Sequence, residues 1–155
     1  MSYEVIEEQF DVSKLSSFGD YTAKEDYPIV VYGIEVEEMA FYKRQTNVLR
    51  SRCRHTKQKD TGTFFTHLQG KFLLSEADLL RKVVSLRMLD EFHEFCCEKL
   101  IFDFLKNKEI EECMVALLYA RRGSLDINPI RATSYDIIPQ EYINPRIYSR
   151  KTWGQ

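Results

Sequence analysis

No stretch of the chain reaches the ~18 uninterrupted apolar residues that a membrane-crossing helix needs. The opening residues Met1-Ser2-Tyr3-Glu4-Val5-Ile6-Glu7-Glu8 also lack the basic segment and apolar run of an export leader. The expectation is a cytoplasmic chain that no membrane holds. Cysteine is sparse and never spaced as Cys-x-x-Cys: Cys96 and Cys97 are adjacent, with Cys53 and Cys113 far on either side. That pattern excludes a regular disulfide framework and predicts reduced thiols. Also missing are a phosphate-binding glycine loop, a nucleophile elbow and a His-Glu-x-x-His sequence. The reading therefore leans away from an enzyme, and no cofactor or resident metal is expected.

What is present describes an ordinary folded domain. The chain has 155 residues, 44% hydrophobic and 30% charged, with ten Phe and nine Tyr, which excludes a disordered polymer. The length predicts a single core. The net charge of -2 hides a segregation: Met1 to Tyr42 holds ten acids and two bases, whereas Lys43 to Lys59 holds seven bases and no acid. Such a layout suits binding a polyanion, neutralisation within the fold, or head-to-tail association between copies.

The strongest periodic signal runs from Ser75 to Lys106. Ser75 offers an N-cap, Glu76 and Asp78 complement the positive helix end, and Leu79, Leu80, Val83, Val84, Leu86, Leu89, Phe92, Phe95, Cys96, Leu100, Ile101 and Phe104 recur at spacings of three and four. One long spine helix over 75–106 is predicted. A second, over 109–122, is favoured by Glu109, Glu111 and Glu112 at its front and Arg121, Arg122 and Gly123 at its rear. Its rival is a buried strand from Cys113 to Tyr119, because the apolar run there is continuous.

Strand signals fall near 28–38, 46–56 and 63–68, with Pro28 to Val36 β-branched and apolar enough to be central. Between 46 and 56, Val48, Arg50, Arg52 and Arg54 point one way and Leu49, Ser51, Cys53 and His55 the other. The polar turn 57–62 closes a hairpin with the run Thr63 to Leu68. The fold class is thus α+β: a small antiparallel sheet packed on a long and a shorter helix, the domain spanning 1–123. Residues 124–155, punctuated by Pro129, Pro139 and Pro145, read as an extended C-terminal arm.

The leading functional expectation is a non-catalytic interaction or assembly subunit, joined to copies of itself or to a protein partner. Its contacts would come from the arm residues Ile137, Ile138, Tyr142, Ile143, Tyr148 and Trp153 and from the charged faces. The alternative is a nucleic-acid-binding accessory protein using Lys43, Arg44, Arg50, Arg52, Arg54, Lys57 and Lys59, since a cationic ribbon beside aromatics suits phosphate contact and base stacking. The competing explanation of that ribbon is a solvated or salt-bridged edge. A third reading is a metal-dependent nuclease with Asp26, Glu35 and Glu37 around magnesium and Lys43 nearby. A zinc site from His93, Cys96 or Cys97 with Cys53 and His55 is weaker still, because such residues on an amphipathic helix are more often core.

Overall fold

The computed structural model describes residues 3–6, 31–32, 36–123 and 125–143. A five-stranded sheet in the order β1-β3-β4-β6-β7 forms the frame: β1 (Glu4–Val5), β3 (Ala40–Arg52), β4 (Lys59–Gly70), β6 (Ile110–Tyr119) and β7 (Ile130–Ala132). β1 runs parallel to β3, and the other neighbours are antiparallel. Two helices, α1 (Glu76–Ser85) and α2 (His93–Leu105), cover one face, and a short α3 (Gln140–Ile143) follows β7. The α+β class read from the sequence is the class observed.

The predicted hairpin is present and longer than its signal. β3 pairs with β4 from Ala40 opposite Gly70 to Arg52 opposite Lys59, with a register shift between Thr46 and Leu49. Beyond that bulge the expected alternation holds, with Leu49 and Ser51 buried and Arg50 exposed. The central position belongs to β4 instead of the Pro28 to Val36 run. Of that run the described residues form β2 (Val31–Tyr32), which pairs antiparallel with β5 (Leu73–Leu74) in a separate two-stranded sheet.

The single spine helix is corrected to two. After α1 the chain tightens into a 3-10 turn, Leu86–Met88, and goes extended at Leu89 (φ -91, ψ 118) and at Phe92 (φ -70, ψ 155). The β3 end breaks it: Arg52 N–H donates to Leu89 O and Glu91 N–H to Arg52 O, while the Arg52 guanidinium holds Asp90 at 2.7 Å. Extended backbone thus finds partners that a helix would have denied it. The apolar spacing is the same on both sides of the break, so periodicity could not register it.

The second predicted helix, 109–122, is also corrected: Ile110–Tyr119 form β6, a strand that contains the rival run Cys113 to Tyr119. Cys113, Val115, Leu117 and Tyr119 enter the core beneath α1 and α2, and Met114, Ala116 and Leu118 enter a second cluster on the opposite face. A strand buried on both faces reads as an unbroken apolar run. Its flanking charges imitated helix ends. At Gly62, opposite Tyr119, a Cβ would run into the Leu118 carbonyl oxygen, so only glycine lets β6 approach β4 this closely there. The second cluster is covered by Tyr3, Ile130, Ile137 and Tyr142. Among the described residues, no helix is long and apolar enough to cross a membrane.

Candidate active site

Three separate segments meet at the end of the sheet where β3 turns into β4. The turn itself is closed by Cys53 N–H donating to Gln58 O and Lys57 N–H donating to Cys53 O, both at 2.9 Å. Lys57 takes a left-handed backbone (φ 58), a conformation held here by the closed turn and by its ammonium 2.8 Å from Asp90. This geometry presents the half-buried Cys53. A hydrogen bond from the Thr56 side chain, reinforced by the backbone of Thr56 and His55 and by Arg122, brings the Cys53 thiol down from 9.0 to about 7. At neutral pH a large share of it is therefore thiolate, the nucleophilic form.

Asp60 opens β4 and is buried, its Oδ1 2.9 Å from Arg122 Nη1 and its Oδ2 3.1 Å from His93 Nε2. Arg122 follows β6 and also donates to Thr56 Oγ1 at 3.2 Å and to Gln58 Oε1, so one guanidinium ties the cysteine turn to the sheet. The loop after it is fixed by Gly123 in a left-handed conformation (φ 60) and by the paired Arg121–Asp126 bonds of 2.9 and 2.7 Å. From the third direction α2 begins with His93 and Glu94, which places Glu94 in a first turn where its charge suits the helix dipole. The His93 ring stacks on Tyr119 at 3.7 Å.

Between these groups lies a cleft of about 500 Å³ lined by Cys53, Asp60, His93, Glu94 and Arg122, with Phe92, Leu125 and Ile127 as apolar walls. Chemically it offers a nucleophilic thiol, a buried carboxylate and imidazole in contact, and a further carboxylate beside apolar surface. That is the inventory of a small-molecule site.

The cationic residues singled out in the sequence do not make one surface. Arg44 bonds to Glu4 (2.9 Å) and Glu76 (2.7 Å) near the start of α1, and Lys43 lies over the Phe41 ring. Arg52 and Lys57 meet Asp90, and Arg54 lies 3.8 Å from Glu91, all next to the cleft. Arg50 and Lys59 are exposed.

Of the arm residues, Ile137 and Tyr142 pack on Phe65, Met114, Ala116 and Leu118, and Ile138 and Ile143 are half-buried. Tyr148 and Trp153 lie outside the described residues, as do Asp26 and Glu35. Glu37 is exposed. Cys96 and Cys97 are buried in the core, where burial pushes their thiols up to about 11 and about 12. Among the described residues no three His, Cys, Asp or Glu side chains gather closely enough to hold a metal ion.

No family model matches the chain. Curated relatives do. It is 36% identical over 105 residues to a protein of Psychrobacter cryohalolentis, covering 68% of this chain and 36% of the relative. A protein of Hahella chejuensis is 37% identical over 101 residues (65% and 36%), and one of Coxiella burnetii 39% over 89 residues (57% and 32%). Each relative is named NADPH-dependent 7-cyano-7-deazaguanine reductase. That is an enzyme's name. It overturns the expectation of a non-catalytic assembly subunit. The chain spans about a third of the length of these relatives.

The sequence reading missed Asp60, Arg122 and Glu94, and saw His93 and Cys53 only as metal candidates. The site residues come from positions 53–60, 93–94 and 122, which no local spacing connects. The Arg121-Arg122-Gly123 run was visible, but it was spent on a helix end.

Proposed function

We propose that this chain carries the reacting end of an NADPH-dependent reductase acting on the cyano group of a 7-deazaguanine, with Cys53 as nucleophile. The observation that carries the reading is the convergence of an activated thiol with Asp60, His93 and Glu94 in one cleft, in a chain related to reductases of that name. A nitrile carbon is electrophilic. The Cys53 thiolate adds to it, a C–S bond forms as one C–N π bond breaks, and the nitrogen takes a proton from the Asp60–His93 pair. Among the described residues Glu94 has no ion-pair partner, and its carboxylate suits the adjacent ring N–H and amino donors of a guanine-type edge. The apolar walls exclude water from the flat heterocycle.

The residues beside the cleft fit the cofactor in the relatives' name. Arg122 lines the cleft 35% exposed, and Arg54 and Lys57 stand exposed in the adjoining turn. These three would hold a dinucleotide's phosphates. NADPH, when bound, supplies the reducing equivalents. The test is consumption of NADPH, followed by its absorbance, on adding 7-cyano-7-deazaguanine. Cys53→Ser should abolish nitrile-dependent consumption, and its persistence in that variant would refute the role given to the thiol.

A further inference from the structure

We propose that Tyr119 is a positioning residue for this site: its ring is the flat floor that holds the His93 imidazole with Nε2 turned toward Asp60. The role in turnover rests on the reductase reading above, whereas the geometric role does not.

Tyr119 ends β6 and is 1% exposed. Its ring and the His93 imidazole lie with centroids 3.7 Å apart and planes 11° from parallel. Histidine has a staggered χ1 but a broad, soft χ2, so the plane of an imidazole at a helix start is not set by its own backbone. A parallel ring in van der Waals contact fixes that plane, and within it Nε2 stands 3.1 Å from Asp60 Oδ2. When His93 carries a second proton the same floor offers the π face that favours a cation.

The floor is itself held. Tyr119 OH and Ser51 Oγ are 3.2 Å apart, a bond that crosses β4 to reach β3. A buried hydroxyl costs free energy unless partnered, so a position needed only for apolar filling would be served better by Phe or Leu, as at Leu117 and Leu118 just before it. Ser51 pairs in register with Asp60, so the residue that fixes the tyrosine stands beside the carboxylate that the histidine addresses. Burial also pushes the Tyr119 phenol well above its usual range, which keeps the hydroxyl neutral.

Tyr119→Phe keeps the flat face, and Tyr119→Leu keeps burial without it. The His93 ring-proton resonances, read by NMR, should be shifted upfield by the stacked ring in the native chain and in Phe, and should move downfield in Leu. In turnover, Leu should lower kcat by on the order of 10- to 100-fold with KM within about 3-fold, the pattern of a misplaced reacting group, while Phe, which loses the Ser51 bond but keeps the ring packed in its buried place, should lose at most about 3-fold. If the Leu variant does not melt cooperatively, Tyr119→Met makes the same comparison. Unchanged His93 resonances on losing the ring would overturn the proposal, as would equal losses of kcat in Phe and Leu or a rise in KM alone. A chain inactive as a reductase that still shows the resonance pattern would sink the reductase reading and leave the floor standing.

Discussion

The placement of His93 and Glu94 depends on how α2 is seated, and besides its core face of Cys96, Leu100 and Phe104 a buried ion pair ties it to α1. Lys82 on α1 is 2% exposed and paired with Asp103 on α2, itself 8% exposed. Asp103 has two further cations, Lys106 at 3.0 Å and the more distant Lys99 at 3.6 Å. Burial alone would raise the Asp103 carboxyl, yet hydrogen bonds from Lys82 and Lys106 and the charges of Lys82 and Lys99 hold it below 3.8. The cost of breaking the pair should therefore be lopsided. Asp103→Asn strands a buried ammonium and should cost about 3 to 5 kcal/mol. Lys82→Met leaves Asp103 with the exposed Lys106 and the partly buried Lys99 and should cost about 1 to 2 kcal/mol. The double change Lys82→Met with Asp103→Leu should return to within about 1 kcal/mol of native, because the cations it leaves, Lys99 and Lys106, reach solvent and no fully buried charge stays unpaired. Urea unfolding at neutral pH measures all three. Equal costs for the two single changes, or an Asp103→Asn cost under about 1 kcal/mol, would refute the argument.

Two pH measurements follow from other groups. Alkylation of Cys53 by iodoacetamide should rise with pH to half its plateau near 7, well below the 9.0 of an ordinary thiol, and Arg122→Met should move that midpoint upward. A midpoint near 9 in the native chain would show that the turn does not activate the thiol. His67 is 4% exposed, and burial, followed by the charge of Lys43, lowers its imidazole from 6.5 to about 4. The unfolded chain then binds the proton first, so stability is fully present above about 6.5 and is lost as pH falls through about 4. His67→Phe should flatten that acid limb by about 1 to 3 kcal/mol in unfolding measurements, and an unchanged limb would contradict it.

The hairpin and the fold class were legible because alternation from Leu49 to Ser51 and the turn chemistry after Arg52 are local signals. The identity of β6 was not, since burial on both faces erases the period-two pattern that separates strand from helix. The break between α1 and α2 was invisible for a different reason: it is made by hydrogen bonds from Arg52, some forty residues upstream. The site suffered from the same distance. Cys53 and His93 each looked like a core or metal residue in its own segment, and only the crossing of the β3–β4 turn, the α2 start and the β6 end makes them neighbours of Asp60 and Arg122.

The most direct test of the Cys53 assignment is the intact mass of the chain after incubation with 7-cyano-7-deazaguanine in the absence of NADPH. The account predicts a gain of one substrate mass that maps to Cys53 and is absent from Cys53→Ser. A native chain that gains no mass, or a gain that survives in Cys53→Ser, would contradict it.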